Sequence, residues 1–197
     1  MMNRDDKKTT NVLVVGTGGQ GVITASEILS DVAMISGFDA KKSEIHGMSQ
    51  RGGVVTSHVR YSEKVYSPMI MEGEADIMLS FELAETVRWL HYVKPGGRVI
   101  TSSQRIIPPA VYAGMGSYPE DAEQVIKQRA ENPIVVDALP MAIKLGNPRL
   151  VNTILLGVAS TLLDLSVDSW KSVIADRVPP KFKDLNLVAF DQGRKVT

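Results

Sequence analysis

The feature that most constrains this 197-residue chain is a strand, glycine-loop, helix unit close to its start. Val12 to Val15 form a continuous, largely β-branched apolar run bounded by Gly16, which is how a strand buried on both faces reads. Gly16-Thr17-Gly18-Gly19-Gln20-Gly21 follows and satisfies G-x-G-x-x-G, between a strand and a helix, where that fingerprint carries meaning. Val22, Ala25, Leu29, Val32 and Ala33 then recur at helical spacing, and Gly37 stands where a left-handed residue would end the helix. The pattern predicts a central parallel strand, a tight turn and a helix packed back on the sheet.

The remaining sequence keeps this alternation. Phe38 to Lys42 reads as a short second strand and Ser43 to Gly53 as a glycine-bearing loop. Val54 to Tyr61 reads as a β-branched strand that Glu63-Lys64 could turn back into Val65-Tyr66 as a hairpin. Ala75 to Phe81 predicts a buried strand, Leu83 to Tyr92 a helix, and Lys94-Pro95-Gly96-Gly97 a turn into a strand over Arg98 to Thr101. Pro108-Pro109 and Gly114 to Pro119 mark irregular connections, after which Glu120 to Ala130 reads as helix and Ile134 to Val136 as strand. From Pro148 the pattern is all helical: Leu150, Val151, Ile154, Leu155, Val158 and Leu162 give a wide apolar face, and two helices follow over Asp168 to Arg177 and Lys183 to Lys195. The expected fold is α/β, a three-layer α/β/α arrangement with a mostly parallel sheet, mixed if the hairpin forms, and a helical C-terminal segment. Residues 1–10 are expected to be a disordered tail and residues 11–197 a single α/β domain.

Chemistry in such a fold is expected after the strands. The glycine loop removes side chains from the path of an anion, while uncapped N–H groups and partial positive charge at the helix start attract phosphate or carboxylate. The plainer alternative is a tight turn whose glycines only allow close packing. An NAD or FAD site would require an acidic residue about 20 positions on; Asp39 or Glu44 could serve, although neither closes a convincing second strand. The second concentration of functional groups is Ser43-Glu44-Ile45-His46-Gly47-Met48-Ser49-Gln50-Arg51-Gly52-Gly53. Arg51 supplies a planar cationic fork suited to phosphate or carboxylate, and Gly52-Gly53 clear the backbone beside it. A salt bridge from Arg51 to Glu44 is the alternative. His46 could move a proton, but with no partner acid or nucleophile assignable the residues favour a hydrogen-bonded structural histidine, and loop-stabilising contacts fit Ser49 and Gln50 at least as well as ligand contacts.

Composition narrows the function. Cysteine is absent and Lys plus Arg equals Asp plus Glu at 22 each. The chain therefore has no thiolates for iron–sulfur clusters or zinc and no excess positive charge for nucleic acid or anionic lipid. The polar start MMNRDDKKTT lacks the apolar region of a secretory signal, and no stretch approaches a membrane span, so a cytoplasmic location is expected.

GTGGQGV and SEIHGMSQRGG together resemble the gamma-domain family of 2-oxoacid:ferredoxin oxidoreductases, and within it the indolepyruvate type of beta subunit. GEADIMLSFE, KPGGRVI, IIPPAVYAGMGSYP, LGNPRLVNTILLGVAS and LNLVAF extend the resemblance over residues 11 to 193. It implies an α/β subunit that joins a larger alpha subunit carrying thiamine diphosphate and iron–sulfur clusters. The complex would convert a 2-oxo acid and coenzyme A to acyl-CoA and CO₂ while reducing ferredoxin. By the same resemblance, Gly16, Gly18, Gly19, Gln20, Gly21, Ser49, Arg51 and Gly52 are the expected coenzyme A contacts, with no catalytic residue and no metal ligand in this chain. Two other classes stay open: an independent Rossmann-type dinucleotide-binding protein, and a purely structural assembly subunit. Homodimerisation of the isolated chain also stays open.

Overall fold

The computed structural model describes residues 9–47 and 53–197. Its framework is a six-stranded sheet of β1 (Thr10–Thr17), β2 (Asp39–His46), β3 (Val54–Ser62), β4 (Ala75–Ser80), β5 (Val93–Ser102) and β6 (Ile134–Val136), in the order β2-β3-β1-β4-β5-β6. β1, β4, β5 and β6 pair in parallel, whereas β3 runs antiparallel to both β1 and β2. One strand out of six therefore opposes the rest, and the mostly parallel, mixed sheet expected from sequence is what forms. Val12 to Val15 are completely buried because β1 lies inside the sheet with helices on both faces.

The chain winds outward from β1 in two directions. Helix α1 (Val22–Ile35) returns it to β2 and β3 on one side. Helix α2 (Leu83–Trp89), α3 (Pro109–Tyr112) and α4 (Ala122–Arg129) belong to the β4 to β6 half. Val12 and Val14 face a core shared with α1, α5 (Ala138–Lys144), α6 (Val151–Ala159), α7 (Val167–Arg177) and α8 (Lys183–Arg194). Leu13 and Val15 face a smaller core built with Leu83 of α2 and Ala122 and Ile126 of α4. This alternation of inward directions along β1 is the period of a strand sandwiched between two helical layers. Helix α6 is buried almost all round, with Ile154, Leu155, Leu156 and Val158 inaccessible, as a helix without a polar face must be.

Several boundaries differ from the sequence expectations. Ser43 to His46 are strand rather than loop, because β3 offers them a full ladder, with Ser43 opposite His58 and His46 opposite Val55. The charges of Lys41, Lys42 and Glu44 in β2 suit an edge that must not recruit further strands. The hairpin partner of β3 is accordingly β2, not Val65-Tyr66. After β3 the chain leaves the ladder: the Val65 amide donates to Asp39 Oδ2 at 2.9 Å, and Arg60 Nη1 donates to the carbonyls of Ser67 and Met69, each at 3.0 Å. Strand β5 starts at Val93 and runs through the expected Pro-Gly-Gly turn with a register shift against β4. Helix α5 has too short an apolar period to be read from sequence. The expected helix from Leu83 tightens into a 3₁₀ turn over Leu90–Tyr92. Thr10 opens β1, inside the expected tail, and residues 1–8 of that tail lie outside the described residues. Among the described residues no helix is long and apolar enough to cross a membrane.

Candidate functional site

Because the chain leaves β1 toward β2 on one face and leaves β4 toward β5 on the other, the carboxyl ends of β1 and β4 flank a topological switch point. Open α/β sheets form their ligand crevices at such points. A cleft of about 610 Å³ opens there, lined by Gly18, Gly19, Gln20 and Gly21 after β1, Gln104 and Ile106 after β5, and Leu139, Pro148, Arg149, Val151 and Asn152. That volume falls within the ordinary range for small-molecule sites. A larger cleft, of about 760 Å³, lies at the opposite edge, and its Lys94 is already paired with Asp76.

The glycine loop divides into residues that hold the turn and residues that face the cleft. Gly16 is buried beneath the loop, where an added Cβ would meet Phe81 Cβ, Val22 Cγ2 and Gln20 Oε1, each at 2.9 Å. Its role is packing, and it does not line the cleft. Gly16→Ala is expected to lower stability by about 1–3 kcal/mol through overpacking, readable as a reduced urea midpoint at unchanged m. Gln20 folds its side chain inward: Oε1 accepts from the Thr17 amide at 2.8 Å and Thr17 Oγ1 at 3.1 Å, while Nε2 donates to the Phe81 carbonyl at 2.8 Å and Gln104 Oε1 at 3.3 Å. The amide thus ties three strand-end loops together, and the side chain expected to touch a ligand is engaged with the protein. The Gly18 and Gln20 amides are likewise engaged, by Gly53 O at 2.8 Å and Thr17 O at 3.2 Å.

What faces the cleft is the backbone of Gly19 and Gly21 and the start of α1. Gly21 is the N-cap of α1 in the left-handed region, φ 83°, with no side-chain cap. The first-turn amides that follow it have no acceptor in a preceding turn. Gly19 is exposed, with φ 99°. Both conformations are unstrained only for glycine. From the other side, Asn147 Oδ1 accepts from the Arg149 amide at 3.0 Å and Pro148 holds the first turn, which together set the entry into α6. Arg149 lies on the cleft rim, and among the described residues no carboxylate pairs with its guanidinium. Asn152 Oδ1 accepts from the Thr153 amide at 2.8 Å, and its Nδ2 would lie 3.0 Å from a Cβ at Gly21. The uncapped start of α1 and an arginine at the entry into α6 therefore converge on one concavity, an arrangement that favours anionic oxygens.

The two sequence motifs meet at this edge. The Gly18–Gly53 hydrogen bond joins the glycine loop to the end of the β2–β3 connection, and Gly47 N donates to Val54 O at 2.9 Å where that connection begins. Ser49, Arg51 and Gly52 lie outside the described residues, as does Gln50, and His46 is placed only by its backbone, at the end of β2. The acidic residues considered for a dinucleotide are not at the cleft. Asp39 begins β2 at the opposite edge, where the Val65 amide and then the Lys41 ammonium hold its carboxyl below the usual range. Glu44 pairs with Lys42, and β3 separates β2 from β1. Sequence reading missed Arg149, Asn152, Gln104 and Ile106. The signal for Arg149 was present in Asn147-Pro148, a cap followed by a first-turn proline that fixes the next residue at a helix entry.

Comparison with known proteins accords with this architecture. Residues 11–196 match the family model described as pyruvate ferredoxin/flavodoxin oxidoreductase. The chain is 38% identical over 193 residues to indolepyruvate oxidoreductase subunit IorB of Pyrococcus horikoshii, covering 95% of this chain and 96% of that one. In fold it is similar to the gamma subunit of keto/oxoacid ferredoxin oxidoreductase from Geobacter sulfurreducens, with a TM-score of 0.72 at 21% identity over 95% of this chain and 97% of that one. It is also similar to part of 2-oxoglutarate:ferredoxin oxidoreductase from Magnetococcus marinus, solved with 2-oxoglutarate, coenzyme A and succinyl-CoA bound. There the TM-score is 0.76 at 21% identity, over 97% of this chain and 31% of that chain.

Proposed function

This chain belongs to the pyruvate ferredoxin/flavodoxin oxidoreductase family, and on that premise we propose that it is the small subunit of an indolepyruvate-type 2-oxoacid:ferredoxin oxidoreductase, binding coenzyme A at the glycine-loop cleft. The observation that carries the reading is the convergence of Gly19, Gly21, the start of α1 and Arg149 on one concavity at the switch point. Coenzyme A presents a diphosphate and a ribose phosphate to such a site, and Arg149 and the uncapped amides are suited to hold them. Arg51, Ser49 and Gly52 belong to the same proposal, since Gly53 at the end of their segment is hydrogen-bonded to Gly18.

The reaction is oxidative decarboxylation: an aryl 2-oxo acid loses CO₂, its acyl group passes to the coenzyme A thiol, and two electrons go to ferredoxin. Thiamine diphosphate, when bound, would supply the electron sink that decarboxylation needs, and iron–sulfur clusters would carry the electrons onward. With no cysteine in the sequence, the thiolates such clusters need come from a larger partner chain, which also holds the thiamine. The work of this chain is to bind and orient coenzyme A. The dinucleotide alternative is disfavoured because, among the described residues, neither Asp39 nor Glu44 stands at the end of a strand next to β1.

Titration of the purified chain with coenzyme A and, separately, with NAD tests the site. Coenzyme A is expected to bind and NAD to bind at least tenfold more weakly. Equal binding, or binding of NAD alone, would refute the assignment.

A further inference from the structure

Glu82 follows β4 at the carboxyl edge of the sheet and is 1% exposed. A carboxylate taken that far out of water is costly unless its oxygens are hydrogen-bonded. One oxygen has an ordinary local role, since Oε2 accepts from the Glu85 amide at 2.9 Å and caps α2. Capping alone needs no burial and leaves Oε1 unexplained. That second oxygen reaches 24 and 36 residues along the chain, accepting from the Ile106 amide at 3.1 Å and from the Tyr118 hydroxyl.

Ile106 and Tyr118 stand on the two arms of the long connection between β5 and α4. The tip of that connection does not pack itself down, because Tyr112 is 78% and Met115 75% exposed. Its ties lie at the base. The Leu83 amide donates to Gln104 O at 3.1 Å. Arg105 donates to Glu120 Oε2 at 2.8 Å and to the Glu120 carbonyl at 2.7 Å. Arg105 also lies over the Tyr118 ring, 5.9 Å from its centroid. Among these ties, the Glu82 carboxylate joins both arms to the sheet at one point. Burial, and then the bond to Glu82, push the Tyr118 hydroxyl up, so it remains a donor at all ordinary pH values.

The first arm is also a wall of the glycine-loop cleft, through Gln104 and Ile106, whereas Glu82 does not line the cleft. We propose that Glu82 is a positioning residue: by closing the base of the β5–α4 connection it fixes the Gln104–Ile106 wall, and so sets coenzyme A affinity without touching coenzyme A. This rests on the reading of the cleft given above. Glu82→Gln is nearly isosteric, but its amide must turn NH₂ toward the Glu85 amide or toward Ile106 and Tyr118, so one set of donors loses its acceptor. Tyr118→Phe removes a single tie and leaves the α2 cap intact.

The test joins two readouts on the full chain and on the complex with its larger partner. Amide exchange over residues 103–118 is expected to quicken about tenfold in Glu82→Gln and less in Tyr118→Phe. In the complex, KM for coenzyme A is expected to rise about tenfold and two- to threefold respectively, with kcat within a factor of two. An unchanged KM despite a loosened connection overturns the proposal, as does unchanged exchange in both variants. If Arg149→Ala also leaves KM for coenzyme A unaltered, it is the assignment of the cleft that fails; the exchange data then judge the latch alone.

Discussion

Gly157→Ala is expected to lower the melting temperature by about 6–12 °C, corresponding to about 3 kcal/mol at 2–4 °C per kcal/mol for a chain of this size. The sign is informative, because alanine in a helix interior is otherwise favoured over glycine by about 1 kcal/mol. Helices α6 and α8 approach until Gly157 and Gly193 face one another. A Cβ on Gly157 would lie 2.2 Å from Phe190 O, and one on Gly193 would lie 2.0 Å from Ile154 O. These obstacles are backbone, which no rotamer change can clear, so the helices must part. Parting them loosens the packing of Phe190 against Trp170, whose ring centroids are 6.0 Å apart, both rings being completely buried. Gly193→Ala should behave alike, and the double variant should cost less than the sum, since one separation relieves both clashes. Thermal melts of the three variants measure this directly. Strict additivity would show that the two glycines are not in one contact.

Arg149→Ala is expected to raise KM for coenzyme A in the assembled enzyme by about 10- to 100-fold, the consequence of losing a charge-assisted hydrogen bond of about 1.5–3 kcal/mol. Turnover at saturating coenzyme A should change little, because the role proposed for the guanidinium is to hold the carrier and not the reacting carbon. Arg149→Lys keeps the charge but not the two-pronged geometry and should fall between the two. Steady-state titration of coenzyme A at fixed indolepyruvate separates the cases. The Asn147 cap keeps the α6 entry formed in both variants, so circular dichroism should be unaltered.

The fold was legible where local pattern and tertiary role coincide. Val12 to Val15 and the glycine loop predicted the central strand and the switch-point helix because both are dictated by residues adjacent in sequence. The β2–β3 hairpin was not legible: Ser43 to His46 carry no strand period, and they become strand only because β3 presents a ladder to them. The site divided in the same way. Gly19 and Gly21 stand where the fingerprint put them, at the cleft. Gly16 and the Gln20 side chain, from the same motif, turn inward, because whether a loop residue faces ligand or protein depends on Phe81 and Gln104, which lie 61 and 84 residues beyond Gln20. Arg149 and Glu82 were missed for the same reason. Each is an ordinary charged residue until the sheet brings the ends of β1, β4 and β5 together.

The most direct test of the account is reconstitution. Ferredoxin reduction by indolepyruvate should be measured for the larger chain alone, for this chain alone, and for the two combined across a coenzyme A titration. Turnover is expected only in the combination, with a KM for coenzyme A that shifts in Arg149→Ala. Sustained ferredoxin reduction by this chain alone, or the same coenzyme A dependence from the larger chain without it, would contradict the account.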